Sequence, residues 1–128
     1  MNERLRRSRR VLALQLKLDR LAEWSLIDLQ SQTAASTKQQ YVLHRIMYEG
    51  SDVAGTFSSV IMRKLQAIAE NLAVLANEEE LQRGRHLDER RRLRRAEKVC
   101  ADLEYEVGCK ALVRQLCETI EAAQPRST

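Results

Sequence analysis

Hydrophobic residues follow one heptad frame through the second half of the chain, in steps that alternate between four and three residues. This is the spacing of a helix face that packs against another helix. The apolar members of the frame are Ile61, Leu65, Ile68, Leu72, Leu75, Leu93, Ala96, Cys100, Leu103 and Val107. Between the two apolar runs the frame continues on Glu79, Gln82, His86 and Glu89. The pattern predicts one long helix whose packing face is polar in its middle.

The first half of the chain predicts a second helix. Leu12, Leu14, Leu16 and Leu18 alternate like a strand, but the surrounding stretch has no Gly or Pro and is rich in good helix formers. We expect the packing face of this helix to begin with Val11, Leu14, Leu18 and Leu21. It should then drift through Trp24, Ile27, Leu29, Tyr41, Leu43, Ile46 and Met47.

The segment 49–56 interrupts the helical pattern. Gly50 suits a helix C-cap, Ser51 and Asp52 suit a turn, and Thr56 suits an N-cap. We therefore predict an all-α fold in which two long helices form an antiparallel coiled-coil hairpin within a single domain, residues 1–128. The expected bounds are about 4–48 for helix one, 49–56 for the turn, 57–122 for the longer helix two and 123–128 for a frayed tail.

The unequal helices predict an uncovered end on helix two. In the hairpin, residues whose numbers add up to roughly 105 should lie side by side, so Met1 reaches only to about Glu104. At 1.5 Å per residue, about 25 to 30 Å of helix then extends beyond the partner helix. Val113, Leu116 and Ile120 give this end an apolar side. Self-association, coverage by the N-terminus or binding inside another protein would each bury it.

The composition favours long helices over a globular core. Of 128 residues, 44% are hydrophobic and 31% charged but only 4% aromatic, which is typical of neither a disordered chain nor a large packed core. Polar residues interrupt the apolar stretch 11–21, so we expect no export signal and no membrane span. Cys100, Cys109 and Cys117 lack paired spacing, and we expect them to be buried thiols in a reducing cytosol.

Basic residues cluster although the net charge is only +4. Hairpin pairing should bring an N-terminal set near a set on helix two: Arg4, Arg6, Arg7, Arg9 and Arg10 near Arg90, Arg91, Arg92, Arg94, Arg95 and Lys98. This cationic collar is either a solvated face or a contact for acidic side chains or phosphates. We expect no nucleic-acid partner, because the arginine run lacks the Asn or Gln that reads bases. Membrane association should be peripheral at most.

The chain shows no catalytic constellation, so we expect no enzyme, no catalytic residues, no cofactor and no metal site. Gly50 to Gly55 has the glycine spacing of a phosphate loop, but no Lys precedes Thr56 and no strand precedes the loop. His44 and His86 have no carboxylate or thiol at a spacing typical of a metal or catalytic pair. Glu78, Glu79 and Glu80 lie on an exposed helix without a pocket.

The basic N-terminus, the leucine-rich first helix, the predicted hairpin with a charged middle and the C-terminal run RRLRRAEKVCADLEYE resemble one known family. They are similar to the FliJ/YscO proteins of bacterial flagellar and type III export systems. The resemblance covers nearly the whole chain in layout. It implies a cytoplasmic stalk protein, located at most peripherally at the inner membrane. The paired helix termini of such a protein enter the export ATPase ring, and its hairpin tip meets the export gate protein.

On this chain the resemblance assigns two sets of contact residues. The ATPase-ring contacts would be Leu5, Arg6, Arg9, Arg10, Arg91, Arg94, Arg95, Leu103, Val107, Leu116 and Ile120. The hairpin-tip contacts would be Tyr41, Tyr48, Phe57 and Ile61. Export chaperones are a further partner that the family implies. The alternative is a structural or adaptor coiled coil that forms a homo-oligomer or binds another helical protein. The Ser- and Thr-rich segment 30–40 departs from the family pattern.

Overall fold

Two long helices make up the protein in the computed structural model, which describes residues 2–49 and 51–124, with side chains at all of these except 51–54 and 56. Helix α1 spans Glu3–Glu49 and helix α2 spans Ser51–Ala123. The described residues contain no strand. The predicted all-α class, the two-helix hairpin and the greater length of the second helix are confirmed.

The contacts of the chain divide it into two compact units. The terminal unit comprises Met1–Leu18 and Glu89–Thr128, and the turn unit comprises Asp19–Asp88. Each unit contains part of α1 and part of α2. A single domain over residues 1–128 stays a prediction.

The helices pair antiparallel in both units. In the terminal unit, Arg9 contacts Glu104 at 3.5 Å, and the Gln15 side-chain amide donates to the main-chain oxygen of Glu89 at 3.2 Å. In the turn unit, the side chain of Gln82 donates to the main-chain oxygen of Ala22 at 3.2 Å. The paired residue numbers add up to between 104 and 113, so the register agrees with the expected value of roughly 105.

The packing face of α2 is the predicted heptad frame. Every position of the frame from Ile61 to Val107 is buried or half-buried, and every other residue between them is exposed. The polar middle of the frame, which includes Gln82 and His86, keeps the same register as the apolar ends. The alternating steps of four and three therefore predicted this face residue by residue.

The predicted packing face of α1 was wrong at all but three of its positions, which are Leu29, Leu43 and Met47. Val11, Leu14, Leu21 and Trp24 are all more than half exposed. The buried and half-buried side chains also keep heptad spacing, but in another frame: Leu5, Ser8, Leu12, Gln15, Asp19, Ala22, Leu26, Leu29, Thr33, Ser36, Gln40, Leu43 and Met47.

The partner helix explains this choice of frame. Two of its members, Ser8 and Ala22, have small side chains and are buried against α2. Gln15 lies in the same frame and bonds Glu89, a polar member of the α2 face. Because a buried polar side chain needs a hydrogen-bonding partner, the polar middle of α2 is matched by polar positions on α1. The more hydrophobic leucine side of α1 is left facing solvent.

Helix α2 begins earlier than predicted. Its first residue is Ser51 rather than one near Phe57, while Gly50, the predicted C-cap, lies outside the described residues. Gly55 is within the helix and does not have a positive φ. A glycine inside a helix costs only about 1 kcal/mol, so Gly55 does not prevent the helix from beginning before Phe57. The other helix ends agree within a residue or two, and residues 125–128 of the predicted tail lie outside the described part.

Candidate interaction surface

A groove between α1 and α2 in the terminal unit combines apolar lining residues with a cationic rim. The apolar residues that line it are Val11, Ala96, Val99 and Leu103, beside the polar Ser8 and Gln15. The rim is formed by Arg4 and Arg7 from α1 and by Arg92 and Arg95 from α2. The antiparallel register places these two arginine pairs on the same side of the unit. This part of the predicted cationic collar is confirmed.

The net positive charge of the chain comes from the terminal unit. Residues 1–18 and 89–128 contain 15 Lys and Arg against 8 Asp and Glu, a net charge of +7. Some of this charge is offset locally, because Arg9 contacts Glu104 at 3.5 Å and Arg92 contacts Glu89 at 3.1 Å. The Arg9–Glu104 pair is exposed on both sides and contributes little to stability, whereas Glu89 of the second pair is half-buried. The groove therefore presents a cationic edge to solvent.

Helix α2 continues past the end of its partner. Every described residue from Gly108 to Gln124 is exposed, and we call this stretch the uncovered segment. Val113, Leu116 and Ile120 are 58%, 54% and 59% exposed. The predicted overhang is confirmed. At 1.5 Å per residue its helical part is about 24 Å long.

The apolar stripe of the uncovered segment continues the groove side of α2. Val113 and Ile120 stand two and three heptads after Val99, which lines the groove. An unpaired helix drifts only about 20° per heptad from this repeat, so the stripe stays on roughly the same side. The terminal unit therefore joins a cationic groove to an exposed apolar helix side.

Three of the predicted ring contacts pack between α1 and α2. Leu5 and Leu103 are buried together with Cys100, and Val107 packs against this cluster in a half-buried position. Both leucines are heptad core positions, so in the hairpin they hold α1 and α2 together and present little surface to a partner. Their assignment as ring contacts stays a prediction, which would require α1 and α2 to separate locally. The exposed members of the predicted set are Leu116, Ile120, Arg6, Arg9, Arg10, Arg91, Arg94 and Arg95.

The predicted tip contacts also divide by burial. Tyr41 is 66% exposed, Tyr48 is 87% exposed and Phe57 is 53% exposed. Ile61 is buried, because it is the first core position of the α2 heptad frame. The accessible members of the predicted tip set are therefore the three aromatic residues.

The three cysteines do not share one environment. Cys100 is buried, as expected, whereas Cys109 and Cys117 are exposed. The expectation of buried thiols was wrong for these two, because both lie in the uncovered segment where no partner helix covers them.

One polar cluster was missed by the sequence analysis. In the turn unit, His86 Nε2 lies 3.5 Å from Asp19 Oδ1, and a carboxylate oxygen of Glu23 lies within 4.8 Å of a ligand atom of each. Spacing along the chain does not reveal this cluster, because His86 is far from Asp19 and Glu23 in the sequence. The hairpin register would have placed Asp19 beside His86, since their residue numbers add up to 105.

Neither helix, over its described residues, contains a stretch that is both long and apolar enough to cross a lipid bilayer. The fold and surface define an all-α hairpin protein with coiled-coil-like packing. Comparisons with known proteins found no family model that matches the chain, no similar curated protein and no similar solved structure.

Proposed function

We propose that the protein is a non-enzymatic coupling protein of a bacterial flagellar or type III export apparatus, and that its terminal unit inserts into the ring of the export ATPase. The uncovered segment is the observation that carries the proposal. Its apolar stripe has no partner within the described residues of the terminal unit, and an exposed apolar face of this kind is typical of a binding surface. The resemblance in layout to the FliJ/YscO proteins supplies the partner.

Burial of the stripe would drive insertion. Completely burying a Val, Leu or Ile side chain contributes about 1.5 to 3 kcal/mol. Val113, Leu116 and Ile120 are each a little more than half exposed, so docking them against an apolar wall supplies roughly 3 to 5 kcal/mol in total before the costs of association. This is a moderate contribution, which suits a partner that engages and releases.

The arginine rim would set the specificity and the rate of docking. Arg4, Arg7, Arg92 and Arg95 line one groove, so acidic side chains on the inner surface of a ring would meet several cations at once. Charge complementarity of this kind accelerates encounter and weakens as salt rises. Association should therefore slow at high ionic strength while the apolar contact persists.

The exposed aromatic residues near the turn are the proposed contact with the export gate. Tyr48 is the most exposed of them, and aromatic side chains are enriched at the centres of protein interfaces. The protein itself would hydrolyse nothing. It would act in the cytoplasm by linking nucleotide-dependent changes in the ring to the gate, and export chaperones would be additional partners.

Stimulation of ATPase activity tests the proposal. The double variant Leu116→Asp/Ile120→Asp should abolish stimulation of a purified export ATPase, with helicity by circular dichroism unchanged because both positions are exposed. The matched control is Ala111→Asp/Ala122→Asp, which adds the same charge to the opposite side of the uncovered segment. Full stimulation by the first variant, or equal loss in both, would contradict the proposal.

A self-associating adaptor is the second candidate function. Val11, which lines the groove, and Leu14 are more than half exposed in the terminal unit. A second copy of the chain would cover both. Sedimentation of the pure protein separates the two candidates. A monomer at all concentrations supports the stalk, and a tight dimer that Val11→Asp/Leu14→Asp disrupts supports the adaptor.

A further inference from the structure

A histidine and two carboxylates converge in the turn unit. Asp19 and Glu23 are four residues apart on α1, so they project from the same side of that helix. His86 approaches them from α2, with its Nε2 atom 3.5 Å from Asp19 Oδ1. One ligand atom from each of the three side chains can be chosen so that all lie within 4.8 Å of one another.

The imidazole nitrogen at the centre of this cluster lacks a hydrogen bond. His86 Nε2 is buried and has no hydrogen-bonding partner among the described residues. Its 3.5 Å separation from Asp19 Oδ1 exceeds the 2.7 to 3.2 Å range, roughly, of N–H···O hydrogen bonds. Buried polar atoms without a partner are uncommon and call for a physical explanation.

We infer that Asp19, Glu23 and His86 bind a divalent transition-metal ion with the preferences of Zn²⁺. A neutral imidazole nitrogen and carboxylate oxygens are ordinary zinc ligands. Calcium and magnesium prefer oxygen ligands alone, so the histidine selects against them. With metal–ligand bonds of about 2.0 to 2.2 Å, tetrahedral ligands lie about 3.3 to 3.6 Å apart. The observed Asp19–His86 separation is 3.5 Å.

The third protein ligand, Glu23, differs from the other two in its exposure. The Asp19 side chain is 8% exposed and that of His86 is 20% exposed, whereas Glu23 is at the surface. The surface carboxylate has the rotamer freedom to close onto the ion, and it marks a path by which the ion enters. A water molecule or another small ligand would complete a four-coordinate shell.

The position of the cluster gives the ion a structural role. Here the α2 packing face consists of Glu79, Gln82 and His86 in place of apolar residues, so hydrophobic packing holds the helices weakly. An ion bound to Asp19 on α1 and His86 on α2 links the two helices directly. Because the unfolded chain has no such preformed site, binding stabilises the folded state.

Zinc titration of the metal-stripped protein tests the inference. The variant Cys109→Ser/Cys117→Ser serves as the background, because both thiols are exposed and would themselves bind Zn²⁺. Calorimetry with zinc chloride should give one ion per chain. At a free zinc concentration about 100-fold above the dissociation constant, Tm measured by circular dichroism should rise by several degrees.

Substitutions of the ligands provide the decisive comparison. Glu23→Gln keeps an exposed side chain of the same size, so the fold should persist while zinc affinity falls at least tenfold. His86→Gln should abolish the rise in Tm, and His44→Gln, at the other histidine, is the matched control and should leave it intact. No binding, one ion per two chains, or a Tm rise that survives both Glu23→Gln and His86→Gln would overturn the inference.

Discussion

The terminal unit and the turn unit use the same helix packing but carry opposite charge. The terminal unit has a net charge of +7, and residues 19–88 of the turn unit contain 7 Lys and Arg against 10 Asp and Glu, a net charge of −3. In both units α1 and α2 pair through heptad positions, with buried leucines such as Leu75 and Leu93. Packing therefore does not distinguish the units.

The surfaces of the units differ as the proposed functions require. In the terminal unit a cationic groove continues into the uncovered segment, where Leu116 and Ile120 remain exposed. In the turn unit the distinctive feature is internal, at the polar face around His86. The comparison indicates that the heptad frame provides the fold and that the residues outside the frame determine what each unit binds.

The largest expected effect distinguishes core from surface leucines on α2. Leu103→Ala should lower the free energy of unfolding by about 2 to 3 kcal/mol, because Leu103 is buried against Leu5 and Cys100 and its removal leaves a cavity. Leu116→Ala is the matched control and should change it by less than about 0.5 kcal/mol. Urea unfolding followed by circular dichroism measures both. An equal loss in the free energy of unfolding for the two variants would show that the uncovered segment is packed against other residues in solution.

A smaller effect should come from the polar face of the turn unit. Gln82→Leu is expected to raise the free energy of unfolding by about 1 kcal/mol, because it adds apolar packing at a half-buried core position. The bond it removes reaches the oxygen of Ala22, which the α1 helix already satisfies. Thermal unfolding with Leu81→Gln, a change at an exposed neighbour, provides the control. A loss of stability would mean that this hydrogen bond is required for pairing.

Removal of the uncovered segment should have less effect again. Truncation after Val107 should change the free energy of unfolding by less than about 0.5 kcal/mol, because residues 108–124 are exposed and are not covered by α1. The same truncation should abolish stimulation of the export ATPase. Chemical unfolding and ATPase assays on one preparation test both statements, and a strongly destabilised truncation would refute the first.

The smallest expected effect concerns the ion pair that crosses the terminal unit. Arg9 and Glu104 are 3.5 Å apart with side chains 58% and 52% exposed, so their coupling should be about 0.3 kcal/mol and should vanish in high salt. A double-mutant cycle with Arg9→Ala and Glu104→Ala measures it. A coupling above about 1 kcal/mol would assign the cationic collar a structural role as well.

Much of the fold was predictable because a long heptad repeat strongly constrains helix packing. The α2 face agreed at every position from Ile61 to Val107, and the uncovered segment followed from the lengths of the two helices. The α1 face was not predictable from hydrophobicity alone. Leu14 is more hydrophobic than Gln15, yet Gln15 is buried since it meets Glu89 across the interface.

The candidate surfaces were predicted in part. Four arginines of the predicted collar, Arg4, Arg7, Arg92 and Arg95, line one groove, because the hairpin register needs only the position of the turn. The burial of Leu5 and Ile61 was not foreseen, because the same apolar character suits a core position and a partner contact. The Asp19, Glu23 and His86 cluster combines residues from two helices, so no motif along the chain reveals it without the register.

Hydrogen exchange along α2 tests the central claim most directly. In the free protein at low concentration, amides of residues 109–123 should exchange at least about 100-fold faster than those of residues 93–107, because the uncovered segment lacks the tertiary packing that slows local opening. Equal protection of both stretches, independent of protein concentration, would contradict the account by showing that the same molecule covers its own C-terminal helix.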